Sequence, residues 1–238
     1  MNTHRLSASL IFLLVTLGAF GAVGITSADA VAEDAARAPL DVSDVTENGA
    51  LVLADGQKIC LAGIWFPEIG DGEDIPSAWL GIIADGALTY ISEPPALRDR
   101  YGCPVATVER RGGRSLQEAL VSAGWAVVDP MTMSGDELAI DWMLTLEARA
   151  RAAGLGIWKD RSASPRTVED LAGWIGTRQL VEGRVRRTYS NKRYVYLNFG
   201  ADWRTDFTAR LDRSMLEARS MDAADFEGKA LRVRGVLE

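Results

Sequence analysis

The chain has few of the residues that enzymes most often use for nucleophilic and metal chemistry. It contains one histidine, His4, and two cysteines, Cys60 and Cys103. Beyond the first residues, a catalytic triad with a histidine base and a zinc site with histidine ligands are therefore excluded. A reactive or metal-binding cysteine pair is disfavoured as well, because no histidine or third cysteine is available to support it.

Basic residues are also fewer than acidic ones. The formal net charge is −7, with 26 Lys and Arg against 33 Asp and Glu. Such a protein has no overall attraction for nucleic acid. Any binding of that kind would need a local basic patch.

Long apolar runs are absent after the N-terminal region, where one extends from Leu10 to Ile25. Arg5 precedes this run, and Ala28-Asp-Ala30 follows it as an Ala-x-Ala cleavage site. The pattern predicts a signal peptide over residues 1–30. A single-span anchor is the alternative, but glycines interrupt a run that is close to the minimum spanning length. We therefore expect an exported protein, periplasmic or secreted, with no membrane span after cleavage.

The remaining sequence changes character along its length. Residues 31–39 are Ala-rich and charged and predict a flexible lead-in. Residues 40–160 alternate strand and helix patterns, and they include a predicted strand at 104–110 and helices beginning near Ser115 and Ser134. Residues 161–176 contain a linker-like segment, and residues 177–238 read mainly as strands. This order predicts an α+β chain with a first domain at 40–160 and a small barrel-like second domain.

Two segments resemble the active-site segments of the staphylococcal-nuclease-like (thermonuclease) family. Leu61-Ala-Gly-Ile64 followed by Pro67-Glu68 is similar to the family's Leu-x-Gly-Ile-Asp-x-Pro-Glu strand, and Asp99-Arg-Tyr-Gly102 is similar to its Asp-(Lys/Arg)-Tyr-Gly turn. Two later segments, residues 116–124 and 147–158, are similar to its helices. The resemblance implies a five-stranded OB-type barrel with helices packed against it.

The family's hydrolysis uses bound calcium, a glutamate that assists the attacking water, and two arginines that stabilise the phosphoryl charge. The resemblance places Glu68 at the glutamate, whereas Cys60 and Cys103 stand where the arginines are expected. Trp65, with Phe66 beside it, replaces a metal-ligating aspartate. Losing one charge-stabilising group commonly raises the barrier by roughly 3 kcal/mol. We therefore expect a remnant site without useful nuclease activity and without a metal or other cofactor.

The same resemblance implies that Cys60 and Cys103 face one pocket, together with Asp99 and Tyr101. In an oxidising compartment they are expected to form a disulfide, with two reduced buried thiols as the alternative. Trp65 and Phe66 are expected to fill the vacated pocket with apolar bulk. A new aromatic ligand site is the alternative for those two residues.

The second domain carries the candidate binding surface. Apolar Val181 and Val185 alternate with polar neighbours, and the segment 194–199 alternates in the same way. One outer face would then carry arginines and tyrosines, which bind the phosphates and stack on the bases of single-stranded nucleic acid. An ordinary exposed sheet face has the same pattern. The nucleic-acid-binding candidates are Arg184, Arg186, Lys192, Arg193, Tyr194, Tyr196, Asn198 and Arg204. This domain is also weakly similar to OB-like modules attached to exported nuclease-like proteins.

Three functions follow from these predictions. The first is an exported, non-catalytic nuclease-like protein that binds single-stranded nucleic acid or an envelope protein. The second is an active calcium-dependent nuclease, with Glu68, Asp99, Tyr101 and replacement ligands such as Glu47 or Asp71. The third is a structural or protein-binding module that uses the Trp65-Phe66 turn or an open sheet edge near Val236, where a barrel would lack its closing strand.

Overall fold

A computed structural model describes residues 7–9, 39–46, 48–67, 81–83, 89–91, 97–99, 102–110, 113–133, 137–159, 164–202 and 206–238. The chain divides into two compact units. One is Thr16–Ala163, and the other combines Met1–Val15 with Ser164–Glu238. We call them the N-terminal and C-terminal units. None of the helices in the described ranges has the length and apolar character needed to span a membrane.

The described strands and helices confirm the predicted α+β class. In chain order, the strands are β1 (Ser7–Ser9), β2 (Pro39–Leu40), β3 (Val42–Val45), β4 (Leu51–Leu53), β5 (Lys58–Leu61), β6 (Ile64–Trp65), β7 (Thr89–Ile91), β8 (Leu97–Arg98), β9 (Pro104–Ala106), β10 (Val108–Arg110), β11 (Arg114–Ser115), β12 (Val127–Val128), β13 (Arg166–Thr167), β14 (Arg178–Arg184), β15 (Arg187–Ser190), β16 (Tyr194–Asn198), β17 (Thr208–Asp212) and β18 (Ala230–Leu237). The α-helices are α1 (Leu116–Ser122), α2 (Glu137–Ala152) and α3 (Arg213–Glu217). Short 3₁₀ turns lie at Pro130–Thr132, Gly156–Trp158, Ala172–Trp174 and Ala223–Phe226.

The strands of the N-terminal unit form three groups. One sheet has the order β3-β4-β5-β9-β8, in which β5 and β9 run parallel. A second has the order β11-β10-β7-β2, and β6 pairs with β12. The inner faces of these strands pack with α1 and α2 around a core that includes Leu51, Ile59, Val105, Val108, Leu120, Val127 and Ile140.

The predicted single strand at 104–110 is two strands in the structure. β9 pairs with β5, whereas β10 pairs with β7, and Thr107 separates them. The side chain of Gln117, only 2% exposed, satisfies the backbone at this crossing. Its Nε2 donates to the Ala106 carbonyl at 3.1 Å and its Oε1 accepts from the Val108 N–H at 3.3 Å. Residues 104–110 alternate as one strand would, so periodicity alone did not show the change of sheet.

The predicted helix near Ser115 begins as expected. The Ser115 hydroxyl accepts from the Glu118 N–H at 3.3 Å and caps α1. The predicted cap of α2 at Ser134 lies outside the described residues. The ends of α1 and α2 approach closely at Gly124 and Gly156, whose added Cβ atoms would each collide with backbone of the other segment. Glycine is therefore required at both positions.

The C-terminal unit is a sheet that curves back on itself. Its order is β13-β14-β18-β1-β17-β16-β15, and β14 and β15 are separated by only Val185 and Arg186. Val185 bonds to Lys229 beside β18, whereas the Arg186 N–H bonds to Asn198 of β16. The chain segment from β14 to β15 therefore joins the two ends of the sheet. Its interior holds Val181, Val185, Val195, Leu197, Phe199, Phe207, Leu211, Phe226 and Val233.

Part of the predicted 161–176 linker belongs to this unit. β13 runs parallel to β14, and Leu171 is 1% exposed within the core. The Arg166 guanidinium carbon lies 3.3 Å from the centroid of the Trp174 ring. Burial lowers the pKa of Arg166, an effect opposed by the charge of Asp170. The linker prediction rested on the polar composition of residues 161–165, which precede the apolar residues that anchor this segment.

Candidate functional site

Cys60 and Cys103 form a disulfide in the N-terminal unit. Cys60 lies on β5, Cys103 directly precedes β9, and their Cα atoms are 6.0 Å apart. Because β5 and β9 run parallel and Cys60 is the register partner of Val105, the two cysteines meet at one end of this strand pair. The predicted pairing is confirmed.

Asp99 fixes the turn that carries Cys103. Its carboxylate accepts from the Cys103 N–H at 2.8 Å, and its own N–H bonds to the Cys103 carbonyl at 2.9 Å. The turn is closed further by a bond from the Arg98 guanidinium to the Gly102 carbonyl at 2.6 Å. The second carboxylate oxygen lies 3.9 Å from the Cys60 sulfur. Asp99 therefore fixes the backbone of Cys103 and, with it, the position of the disulfide.

A cavity of about 540 Å³ opens beside the disulfide. Its wall includes Thr46, Asn48, Lys58, Arg98 and Asp99 with the two cysteines. Asp99 and the cysteine sulfurs form the one group of three metal-ligating types found within the described residues. The sulfurs are bonded to each other, and calcium requires six to eight oxygen ligands. Asp99 is the one carboxylate among the described residues of the wall. Thr46 and Asn48 add neutral oxygens, whereas Lys58 and Arg98 repel a cation, so the described side chains fit calcium poorly.

Neither Trp65 nor Phe66 is among the residues that line this cavity. Trp65 is 7% exposed on β6, where it pairs with Val127 of β12. The Phe66 ring lies directly over Gly49, which has a φ of +82°. The chain turns at Gly63, which has a φ of +76°, between β5 and β6.

Several predicted residues lie outside the part of the chain that the structure describes. They are Glu47, Glu68, Asp71, Tyr101 and Arg204. Their roles remain predictions.

The C-terminal unit places a group of aromatic rings on one outer face. Val195, Leu197 and Phe199 are buried, while Tyr194, Tyr196 and Asn198 lie on the opposite face of β16, as the alternation predicted. Tyr189 of β15 is the register partner of Tyr196, and their ring centroids are 6.0 Å apart. The rings of Tyr194 and Tyr196 meet edge to face at 6.3 Å. The three rings form a continuous aromatic surface.

Two arginines accompany these rings. The guanidinium carbons of Arg193 and Arg210 each lie 5.0 Å from the centroid of Tyr194. Arg210 of β17 is the register partner of Tyr196 and also lies 3.8 Å from the Glu238 carboxylate. We define the Tyr–Arg face as Tyr189, Tyr194, Tyr196, Arg193 and Arg210.

The two predicted arginines Arg184 and Arg186 lie at the end of β14 and just after it. The Arg184 guanidinium donates to the Gly228 carbonyl, and the strand bends at Val185 and Arg186. Because of this bend, Arg187 rather than Arg186 is the register partner of Asn198 and shares its face. Lys192 is exposed in the turn between β15 and β16. The Asn198 amide oxygen accepts from the Thr208 hydroxyl at 2.8 Å, so Asn198 also has a structural role.

Sequence analysis therefore missed Arg187, Tyr189 and Arg210. A signal for Tyr189 was present, because Arg187 and Tyr189 alternate with Thr188 and Ser190 directly before the β16 pattern. Arg210 had no comparable signal, since its place beside Tyr194 depends on the register between β16 and β17.

Comparison with known families identifies part of the N-terminal unit. Residues 84–160 match the family model described as staphylococcal nuclease homologue. The match includes the Asp99 turn, helices α1 and α2, and the Gly156–Trp158 turn. The chain therefore carries a staphylococcal-nuclease-like domain, whose family fold is an OB-type barrel with helices. Among curated proteins, no match to the chain was found.

Proposed function

We propose that this protein is exported, lacks nuclease activity, and binds single-stranded nucleic acid through the Tyr–Arg face of an OB-like C-terminal unit. The observation that carries the binding function is the continuous surface of three tyrosine rings with Arg193 and Arg210 beside them. OB folds bind oligonucleotides on the face of their second and third strands. In the proposed OB-like unit we assign β16 and β17 to these two positions, because they are consecutive, antiparallel neighbours in the sheet.

The chemistry of the face suits single strands better than duplexes. Bases that are not paired can stack on tyrosine rings, and guanidinium groups contact the phosphates between them. Arg187 and Lys192 extend the positive charge along the same strand pair. The overall charge of −7 opposes binding, so the contribution of these local cations decides the affinity.

Loss of catalysis rests on the family resemblance combined with the disulfide. The two positions where the family has charge-stabilising arginines carry Cys60 and Cys103, which are bonded to each other. A disulfide cannot stabilise developing phosphoryl charge. The one carboxylate among the described residues of the wall, Asp99, lies beside two cations, which disfavours calcium. The two arginines of the family mechanism are replaced at positions 60 and 103.

Export rests on the predicted signal at residues 1–30 and is supported by the disulfide, which is characteristic of proteins from oxidising compartments. N-terminal sequencing of the exported protein should give a start near Val31. Recovery of a chain that still begins at Met1 would contradict this part of the proposal.

Binding is tested by fluorescence anisotropy of labelled single-stranded DNA and RNA with the full chain. Tyr196→Ala should weaken binding about tenfold, since one base–aromatic stack contributes about 1–3 kcal/mol. Arg210→Gln should reduce the slope of log K against log salt by about one. Lys159→Gln is the matched charge control, because Lys159 is an exposed cation of the N-terminal unit, and it should leave the slope unchanged. Equal affinity in wild type and Tyr196→Ala would contradict the proposed face.

Catalysis is tested separately with end-labelled single-stranded DNA and RNA, in excess calcium and in chelator. We expect no cleavage in either condition. Calcium-dependent cleavage that disappears in Glu68→Gln would make the protein an active nuclease and would contradict the non-catalytic proposal, while leaving the binding test unaffected.

A further inference from the structure

A row of polar side chains crosses the outer face of the C-terminal sheet next to the Tyr–Arg face. Asn198 of β16 is the register partner of Arg187 on β15 and of Thr208 on β17. Residues that are paired directly across neighbouring strands lie on the same side of a sheet. Arg187, Asn198 and Thr208 therefore lie side by side, and we call them the polar row.

The polar row is close to the aromatic rings. Tyr189 and Tyr196 pair with each other two residues away from Arg187 and Asn198 on the same two strands. Two residues correspond to about 7 Å along a strand. A purine base that stacks on the Tyr196 ring therefore presents one of its edges to the polar row.

The bond between Asn198 and Thr208 determines which groups the polar row offers to that edge. The Thr208 hydroxyl donates to the Asn198 Oδ1 at 2.8 Å. The oxygen and the nitrogen of an amide lie on opposite sides of its carbon, so this bond directs the Asn198 NH₂ group away from Thr208. Arg187 lies on the other side of Asn198, and its guanidinium group has donors only. Toward Arg187, the row therefore offers hydrogen-bond donors.

The acidic groups near these donors have other positions or partners. Glu227, whose pKa is lowered in part by the charge of Arg187, accepts hydrogen bonds from the N–H and the hydroxyl of Thr188. Asp212 is the register partner of Tyr194, so it lies beyond the rings from the polar row. Within the row itself, all three side chains are uncharged or cationic.

The two purines differ in what they present to a row of donors. Guanine has two adjacent acceptors, N7 and O6, which arginine binds in a bidentate way, whereas adenine has the acceptor N7 beside an amino donor. Asparagine recognises adenine by using its amide oxygen together with its NH₂ group. In the polar row, the oxygen of Asn198 is held by Thr208.

We propose that the polar row makes the Tyr–Arg face bind guanine in preference to adenine. This proposal rests on the nucleic-acid-binding part of the proposed function, and it specifies which base that face prefers. Arg187 and Asn198 would contact the guanine edge, while Thr208 acts as a positioning residue for the Asn198 amide.

The first test compares two strands that differ in the edge of one purine. Each is a labelled five-nucleotide DNA with a central guanine or adenine between thymidines, and fluorescence anisotropy measures its affinity for the full chain. Both purines offer a similar flat surface for stacking, so the ratio of the two affinities reports the contacts of the edge. We expect the guanine strand to bind at least about fivefold tighter. Equal affinities would overturn the proposal.

Two base analogues identify the groups of guanine that are recognised. Hypoxanthine keeps N7 and O6 but lacks the 2-amino group, so its strand should bind as tightly as the guanine strand. 7-Deazaguanine keeps O6 and the amino group but lacks N7, so its strand should lose most of the preference. A hypoxanthine strand that binds no better than the adenine strand would show that the amino group is recognised, and would overturn the proposal.

Variants of the polar row assign the preference to this part of the face. Thr208→Val removes the hydroxyl that orients the Asn198 amide, so the ratio of guanine to adenine affinity should fall toward one. Arg187→Lys keeps the positive charge but loses the paired donors, so the ratio should fall here too. Thr145→Val is the matched control, because the Thr145 hydroxyl bonds within α2, and it should leave the ratio unchanged. An unchanged ratio in both Thr208→Val and Arg187→Lys would overturn the proposal.

The same measurements separate this proposal from the proposed function. If none of the strands binds, the binding function and the base preference are both wrong. If the two purine strands bind equally and Tyr196→Ala weakens both, the binding function stands and only the preference is wrong. A guanine preference that is lost in Thr208→Val and retained in Thr145→Val supports both.

Discussion

Cys60 and Cys103 join the parallel strand pair β5 and β9 at the wall of the cavity, where Asp99 fixes the turn that carries Cys103. The bond spans 43 residues of sequence. In the chain-entropy description, closing a loop of this length restricts the unfolded chain and stabilises the fold by about 4 kcal/mol. The disulfide therefore stabilises the fold by restricting the unfolded chain between β5 and β9.

Replacing both cysteines tests this contribution. The double variant Cys60→Ser with Cys103→Ser should lower the free energy of unfolding by about 4 kcal/mol, measured by urea titration. Wild-type protein in excess reductant is the control and should unfold at a similar urea concentration. A loss under about 1 kcal/mol would mean that the unfolded state gains little freedom when the bond is absent.

The polar side chain of Gln117 should be essential where the chain passes from β9 to β10. Gln117→Met keeps the volume but removes both of these bonds. The Ala106 carbonyl still accepts from the Ala62 N–H at 2.9 Å, so we expect a loss of about 1–3 kcal/mol from the Val108 N–H alone. Leu116→Met, at a neighbouring buried position, is the control and should cost under about 1.5 kcal/mol. Equal urea midpoints for the two variants would show that another acceptor satisfies the Val108 N–H.

Phe66 should make any side chain at Gly49 costly to the fold. Gly49→Asp would place a Cβ against the Phe66 ring and would keep a positive φ. Gly56→Asp is a matched control, because Gly56 has a φ of +83° and open space around it. Both variants carry backbone strain of about 1 kcal/mol, but Gly49→Asp should lose about 2 kcal/mol more.

The cause of that difference can be isolated with a further variant. Adding Phe66→Ala to Gly49→Asp should remove the collision and recover part of the extra loss, measured by the same urea titration. If Gly49→Asp and Gly56→Asp lose the same stability, the ring of Phe66 moves aside without cost and the restriction is absent.

Local patterns predicted those parts of the fold that depend on neighbouring residues. The alternation of Val195 and Leu197 with Tyr194 and Tyr196 identified both faces of β16, because a strand has a period of two wherever it lies. The Ser115 cap of α1 was predicted for the same reason, since the cap and its acceptor are three residues apart.

The remaining features depend on contacts between distant residues. The change of sheet at Thr107 is satisfied by Gln117, and the bend at Val185 and Arg186 arises where one strand has different partners in its two halves. Arg210 joins the candidate binding face through its register with Tyr196. The cysteine pairing was predicted only because the family resemblance assigned both positions to one pocket.

Glu227 should make β15 sensitive to acid. Its carboxylate accepts from the Thr188 N–H at 2.9 Å and from the Thr188 hydroxyl at 3.0 Å. These two bonds, first the backbone one and then the hydroxyl, lower the pKa of Glu227 from its usual value. Desolvation opposes this effect, and the charge of Arg187 adds to it. Since the folded-state pKa is the lower one, the stabilisation is present above the unfolded-state pKa and is lost as the pH falls through the folded-state pKa.

We therefore expect the urea midpoint of the wild type to fall between about pH 7 and about pH 3 by more than that of Glu227→Gln, which cannot titrate. Thr188→Val is the control, because it removes the hydroxyl bond and keeps the N–H bond, so it should retain part of the pH dependence. Exchange of the Thr188 amide should also accelerate at low pH, after correction for the intrinsic rate, in the wild type only. The same pH dependence in wild type and Glu227→Gln would show that other carboxylates, and not this contact, determine the acid sensitivity of the unit.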